Sequence, residues 1–231
     1  MHEQASGATF GVAMGVVPHV THTADVDKNR RLWRRWVVAV TLGELVGFSV
    51  PSIAGGIAWA LRAAPGVLYA TLVCAGAGEG AVLATAQWIV LRDELPRLPA
   101  RSWIGVTAAA AAFAWGLGML PSTLGDRLGA VPFVLLAPAL GAGGIALLLS
   151  IGTVQSLVLR SHVRRAWQWI PANALAWCAG LVVAVSFMSV LLTEDTTLAQ
   201  GIAVGAAAGV LMGAAVAAVT GWFLVRILES R

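Results

Sequence analysis

The chain has 231 residues, of which 58% are hydrophobic and only 11% charged, with a formal net charge of +4. A soluble domain carries about a quarter charged residues, so these charges are too few to cover a water-facing surface, and lipid must cover much of it. The pI near 10 does not point to nucleic acid, because the basic residues sit in short clusters between apolar stretches, the pattern that orients membrane helices.

Residues 1–32 read as a cytoplasmic N-terminal tail, disordered or lying on the membrane surface. Their apolar stretch at 8–17 is too short to span a bilayer, and His19, His22, Asp25 and Asp27 follow it. Two histidines without further ligands do not make a metal site. The basic run ending at Arg35 leads into a full-length span rather than a short apolar core, so no secretory signal is read here. Residues 33–231 form the membrane domain. Six stretches are apolar enough and long enough to cross a hydrocarbon core of about 30 Å: 36–61, 66–91, 103–120, 131–159, 167–192 and 198–225. The predicted fold class is all-α, an integral membrane protein of six transmembrane helices.

Thirteen of the fifteen Lys and Arg residues lie before the first span, in the second and fourth connections, or after the last span. Only Arg62 and Arg127 lie on the other side. The positive-inside rule then puts both termini in the cytoplasm of the cell membrane. Trp33, Trp36, Trp88, Trp103, Trp167, Trp169 and Trp222 gather near the basic side, as an interfacial belt would.

The even-numbered spans end alike: Gln87-Trp88-Ile89-Val90-Leu91-Arg92, Gln155-Ser156-Leu157-Val158-Leu159-Arg160 and Gly221-Trp222-Phe223-Leu224-Val225-Arg226. These endings recur 68 and 66 residues apart, and each odd-numbered span begins with Trp beside a basic cluster. The pattern predicts three parallel hairpins, repeated about an axis along the membrane normal. The stretch from Gly78-Glu79-Gly80 to Arg92, with its weaker copy ending at Arg160, resembles a group of uncharacterised bacterial multi-pass membrane proteins with recurrent Q-W-x-V-L-R segments. That resemblance implies the topology and no stated activity. The third copy departs from it, with Gly221 where Gln would stand.

Close backbone approach packs helices in lipid, where apolar burial does little. Gly201, Gly205, Gly209, Gly213, Ala217 and Gly221 recur every fourth residue in the sixth span, and Ala39, Gly43, Gly47, Pro51 and Gly55 in the first. Gly76, Gly80 and Ala84 continue the theme in the second, and Ala172, Ala176, Gly180 and Ala184 in the fifth. A spacing of four keeps such residues on one slowly drifting face. Pro51, Pro138 and Pro171 are expected to kink their spans. Pro138 with Gly141, Gly143 and Gly144 is the candidate for an unwound segment.

Glu44 and Glu79 are the only formal charges well inside the spans. A mid-membrane charge costs about 2.5–3.5 kcal/mol on insertion scales, so it is normally paired, protonated or functional. The expected partners are Thr41, Ser49, Gln87 or a backbone carbonyl, with Gln87 and Gln155 as polar lining of a shared cavity. Arg160, Arg164 and Arg165 beside His162 form a basic turn suited to anionic lipid headgroups. Cys74 and Cys178 have no CxxC spacing and read as buried thiols, neither bridged nor metal-binding. HExxH, GxSxG and Walker patterns are missing, so the expectation is a non-enzyme without cofactor or metal. The most concrete functional expectation is small-solute or proton-linked transport carried by Glu79 and Glu44. The alternative is a structural or assembly subunit whose Gly/Ala faces pack on partner membrane proteins or on copies of itself. Membrane lipid is the remaining partner, and nucleic acid is not one.

Overall fold

Short connections between long apolar segments leave successive helices only one way to pack, antiparallel and side by side. The computed structural model describes residues 19–230. It has six long helices: α1 (His19–Ala60), α2 (Pro65–Glu94), α3 (Ala100–Leu124), α4 (Phe133–Leu159), α5 (Trp169–Leu191) and α6 (Leu198–Glu229). All six are long and apolar enough to cross a membrane, and the architecture is that of a multi-pass membrane protein in contact with lipid. Each helix packs on the next, and α6 returns to pack on α1, which closes the six into a ring. One-turn segments at Asp126–Gly129 and Ala166–Gln168 bridge α3 to α4 and α4 to α5.

Local chemistry sets several ends. Pro65 opens α2 at a position that needs no amide donor. Thr197 and Gln200 form a reciprocal capping box at the start of α6. Pro171 stands third in α5, again in a first turn with no intrahelical acceptor to lose, so it starts the helix instead of kinking it. Pro138 does not unwind its segment either. α4 runs unbroken from Phe133 to Leu159, because a proline in the second turn removes a single hydrogen bond that the rest of a 27-residue helix outweighs.

The expected tail is helical where it is described. α1 reaches back to His19, and its 42 residues extend about 63 Å at 1.5 Å per residue, twice the hydrocarbon thickness. Polar contacts hold this extension against its neighbours: Arg35 with Asp93 at 2.6 Å, Lys28 with Glu94 at 3.9 Å, and Asn29 donating to Glu229. Residues 1–18, with the apolar stretch, and the side chains of His19 and His22 lie outside the described residues.

The core sits at the basic end of the ring. Leu32, Trp36, Val40, Leu91, Trp103, Leu159, Trp169, Leu224 and Ile227 belong to one buried cluster. Trp36, Trp103 and Trp169 are 0% exposed, which corrects the interfacial belt for these three. Two of the indoles find polar partners there: Trp36 Nε1 donates to Thr220 Oγ1 at 2.9 Å and Trp169 Nε1 to Gln155 Oε1 at 2.7 Å, whereas Trp103 Nε1 has no partner among the described residues. Trp36 and Trp169 also meet edge to face at 5.8 Å. Trp167, by contrast, is 64% exposed.

Away from the basic end the ring loosens. The first two-thirds of α4, the second half of α5 and the first turns of α6 are largely exposed. Cys74 and Cys178 are free and exposed rather than buried; a thiol is apolar enough to face lipid. The small residues divide along the same line. Gly43 meets Ala86, Gly80 meets Ala111 and the Thr107 carbonyl, and Gly213 meets Glu44, each so closely that an added Cβ would have its nearest atom at 2.5–3.0 Å. Among the described residues, Gly201, Gly205 and Gly209 meet nothing within 4 Å. The drift of a four-residue spacing, about 40° per step on an ideal helix, carries the upper part of the α6 stripe off the α1 face.

Candidate functional site

Glu79 lies halfway along α2, well inside a helix long and apolar enough to cross a membrane. Two neighbours make room for it. On α1, Gly47 has no side chain, and a Cβ there would stand 3.2 Å from Glu79 Cγ. On α3, Trp115 donates its indole N–H to Glu79 Oε2 at 2.6 Å. Gly76, one turn from Glu79, lies directly against that indole, and any side chain there would collide with it. The expected glycine role is thus more specific than helix packing, since Gly76 lets Trp115 reach the acid.

Beside this pair opens a cavity of about 330 Å³. Phe48, Glu79, Ala111, Ala114, Trp115, Gly118, Met119, Leu147, Ile151 and Trp177 line it, drawn from α1 through α5. Glu79 is its single ionisable group, and among the described residues Trp115 is the only hydrogen-bond partner of the carboxyl. A groove of about 360 Å³ between α3 and α4 shares Gly118 and Leu147 with the cavity and continues it toward the end remote from the basic clusters.

Glu44 differs in every respect. It is 1% exposed and absent from the cavity wall, and it faces Gly213 of α6, whose Cβ position is 3.0 Å from its own. Neither carboxyl oxygen has a partner among the described residues, and Thr41 Oγ1 next to it is equally alone. The expected bonds from these acids to Thr41, Ser49 and Gln87 are not formed. Ser49 turns to the Val46 carbonyl instead, the short local bond that a helical serine reaches most easily.

Gln87 and Gln155 meet, but not in a cavity. Gln155 Nε2 donates to Gln87 Oε1 and to Thr107 Oγ1, both at 2.9 Å, while Gln155 Oε1 accepts from Trp169. Gln155 is 0% exposed. The two amides therefore tie α2, α3, α4 and α5 together below the cavity instead of lining it. Gln155 spends its amide on these three partners, and neither glutamine is part of the cavity wall.

Arg160, Arg164 and Arg165 stand exposed in the turn between α4 and α5, with His162 bonded locally to Ser161 and Val158. They lie at the basic end, remote from Glu79. Among the described residues, no three His, Cys, Asp or Glu side chains converge on a point that would hold a metal.

Sequence reasoning missed Trp115, Trp177 and Thr107. A signal was present: once seven tryptophans are given to the basic end, three remain, Trp59 near the end of its span and Trp115 and Trp177 deeper inside theirs, where an indole N–H needs a buried acceptor. Matched against protein-family models, curated proteins and solved structures, the chain finds no counterpart in any of the three.

Proposed function

We propose that this chain moves a small solute through its helix bundle with proton linkage, and that Glu79 is the group the solute meets. The observation that carries the reading is the cavity at Glu79. A purely structural carboxyl would be sealed between helices, as Glu44 is; Glu79 instead borders open volume. Glu44 lies one turn along α1 from Gly47, on which Glu79 packs. Like charges in a medium of low dielectric repel strongly, so in this reading a solute's charge at Glu79 is linked to the proton occupancy of the two acids.

The positive-inside reading puts the basic end, and both termini, in the cytoplasm of the cell membrane. The tryptophan and leucine cluster then closes the cytoplasmic side while the cavity faces the other way, and transport requires that cluster to part. The three-hairpin repeat belongs to the same reading. Trp36 donates to Thr220 and Trp169 to Gln155, each an entering helix bonding the outgoing helix before it in the ring.

The test is proton and solute flux in proteoliposomes. Glu79→Gln should abolish flux while the protein still elutes as a folded species. Equal flux in wild type and mutant removes Glu79 from the path. A second reading, an assembly subunit, draws on Gly201, Gly205 and Gly209, which none of the described residues approaches within 4 Å. It predicts that replacing them with Leu breaks a complex and leaves the isolated chain stable.

A further inference from the structure

We infer that the cavity at Glu79 is built for a small organic monocation with an apolar body, of the arylalkylammonium kind. This rests on the reading of the cavity as a solute site and adds its selectivity. One carboxyl on the cavity wall, with a single hydrogen-bond partner among the described residues, matches one positive charge. Phe48, Trp115 and Trp177 supply aromatic rings around it, and ring faces attract a desolvated ammonium. Apart from the Trp177 indole the rest of the wall is apolar. The Trp115 N–H is already spent on Glu79, which leaves at most one donor, too few to replace the hydration of a sugar or a zwitterion. A free anion would meet the carboxyl and no basic group. The volume of about 330 Å³ equals roughly eleven waters at about 30 Å³ each, which suits a body of about ten non-hydrogen atoms. The apolar groove between α3 and α4 that joins the cavity through Gly118 and Leu147 gives such an amphipathic cation an entry along the lipid-facing side.

The experiment is equilibrium dialysis of labelled benzyltrimethylammonium with the purified full chain in detergent at pH 7. Competitors of matched shape are 2-phenylethylammonium, 2-phenylethanol and phenylacetate. The ammonium should compete at least tenfold better than the alcohol or the acid. Glu79→Gln should weaken binding at least tenfold. Ala114→Phe, which keeps the carboxyl and fills the cavity, should abolish binding. The inference is overturned if the alcohol competes as well as the ammonium, if folded Glu79→Gln binds unchanged, or if the labelled cation does not bind; the cavity is then an apolar slot for a lipid chain. Should Glu79→Gln fail to fold, the competition on wild type decides alone. Cation binding without flux in liposomes upholds the ligand class and removes the transport reading, so the two fail separately.

Discussion

Replacing Gln155 by Leu should loosen the bundle more than any other near-isosteric change below the cavity. The volume is almost kept, but three hydrogen bonds disappear, to Gln87 and Thr107 at 2.9 Å and from Trp169 at 2.7 Å. Interhelical hydrogen bonds in membrane proteins contribute about 0.6 kcal/mol each on average, so the bonds alone amount to about 2 kcal/mol. Thr107 keeps its bond to the Trp103 carbonyl, but Gln87 Oε1 and Trp169 Nε1 are left buried without partners. Each orphan adds about 1 kcal/mol or more, which brings the expected loss to about 3–4 kcal/mol. Reversible unfolding in mixed micelles, followed by tryptophan fluorescence, measures it. Gln87→Leu added to Gln155→Leu removes one orphan, so the double mutant should cost less than the sum of the singles. Unchanged stability in Gln155→Leu, or strict additivity in the double mutant, would refute the account of this network.

Three further outcomes follow from the same geometry. Gly80→Ala, whose Cβ would fall 2.5 Å from Ala111 Cβ, should cost about 1–3 kcal/mol by overpacking, while Gly205→Ala, in open space, should be neutral or stabilise by up to about 1 kcal/mol through helix propensity; micelle unfolding of the pair checks both signs. Arg35→Ala removes an ion pair whose members are 53% and 47% exposed, so thermal stability should fall by no more than about 1 kcal/mol, with the difference vanishing in high salt. Trp36→Phe should cost about 1–3 kcal/mol, for the lost bond to Thr220 and the space left by the smaller ring, whereas Trp36→Ala should cost about 3–5 kcal/mol in the same unfolding assay.

The six spans were legible because mean hydropathy and length decide them almost alone; observed and expected bounds differ by a few residues at most ends. The start of α1 was not, because its extension is held by Arg35, Lys28 and Asn29 reaching α2 and α6, contacts between residues far apart in sequence. Both intramembrane acids were legible as exceptions to an apolar pattern. Their difference was not: which one borders a cavity depends on Gly47, Gly76 and Trp115 from two other elements. Gln87 and Gln155 stood out by type and spacing, yet pointed to a wet lining. Ring closure turned them toward each other, where mutual satisfaction replaces solvent. Gly201, Gly205 and Gly209 share the period of Gly213, but a period of four cannot say how far along the helix a neighbour follows it.

Thiol accessibility tests the central claim, that Glu79 borders open volume while Glu44 is sealed. In a background with Cys74→Ser and Cys178→Ser, Glu79→Cys and Glu44→Cys are each exposed to a small, charged methanethiosulfonate in proteoliposomes. The account predicts rapid modification at position 79 and none at position 44. Both positions inert, or both equally reactive, would contradict it.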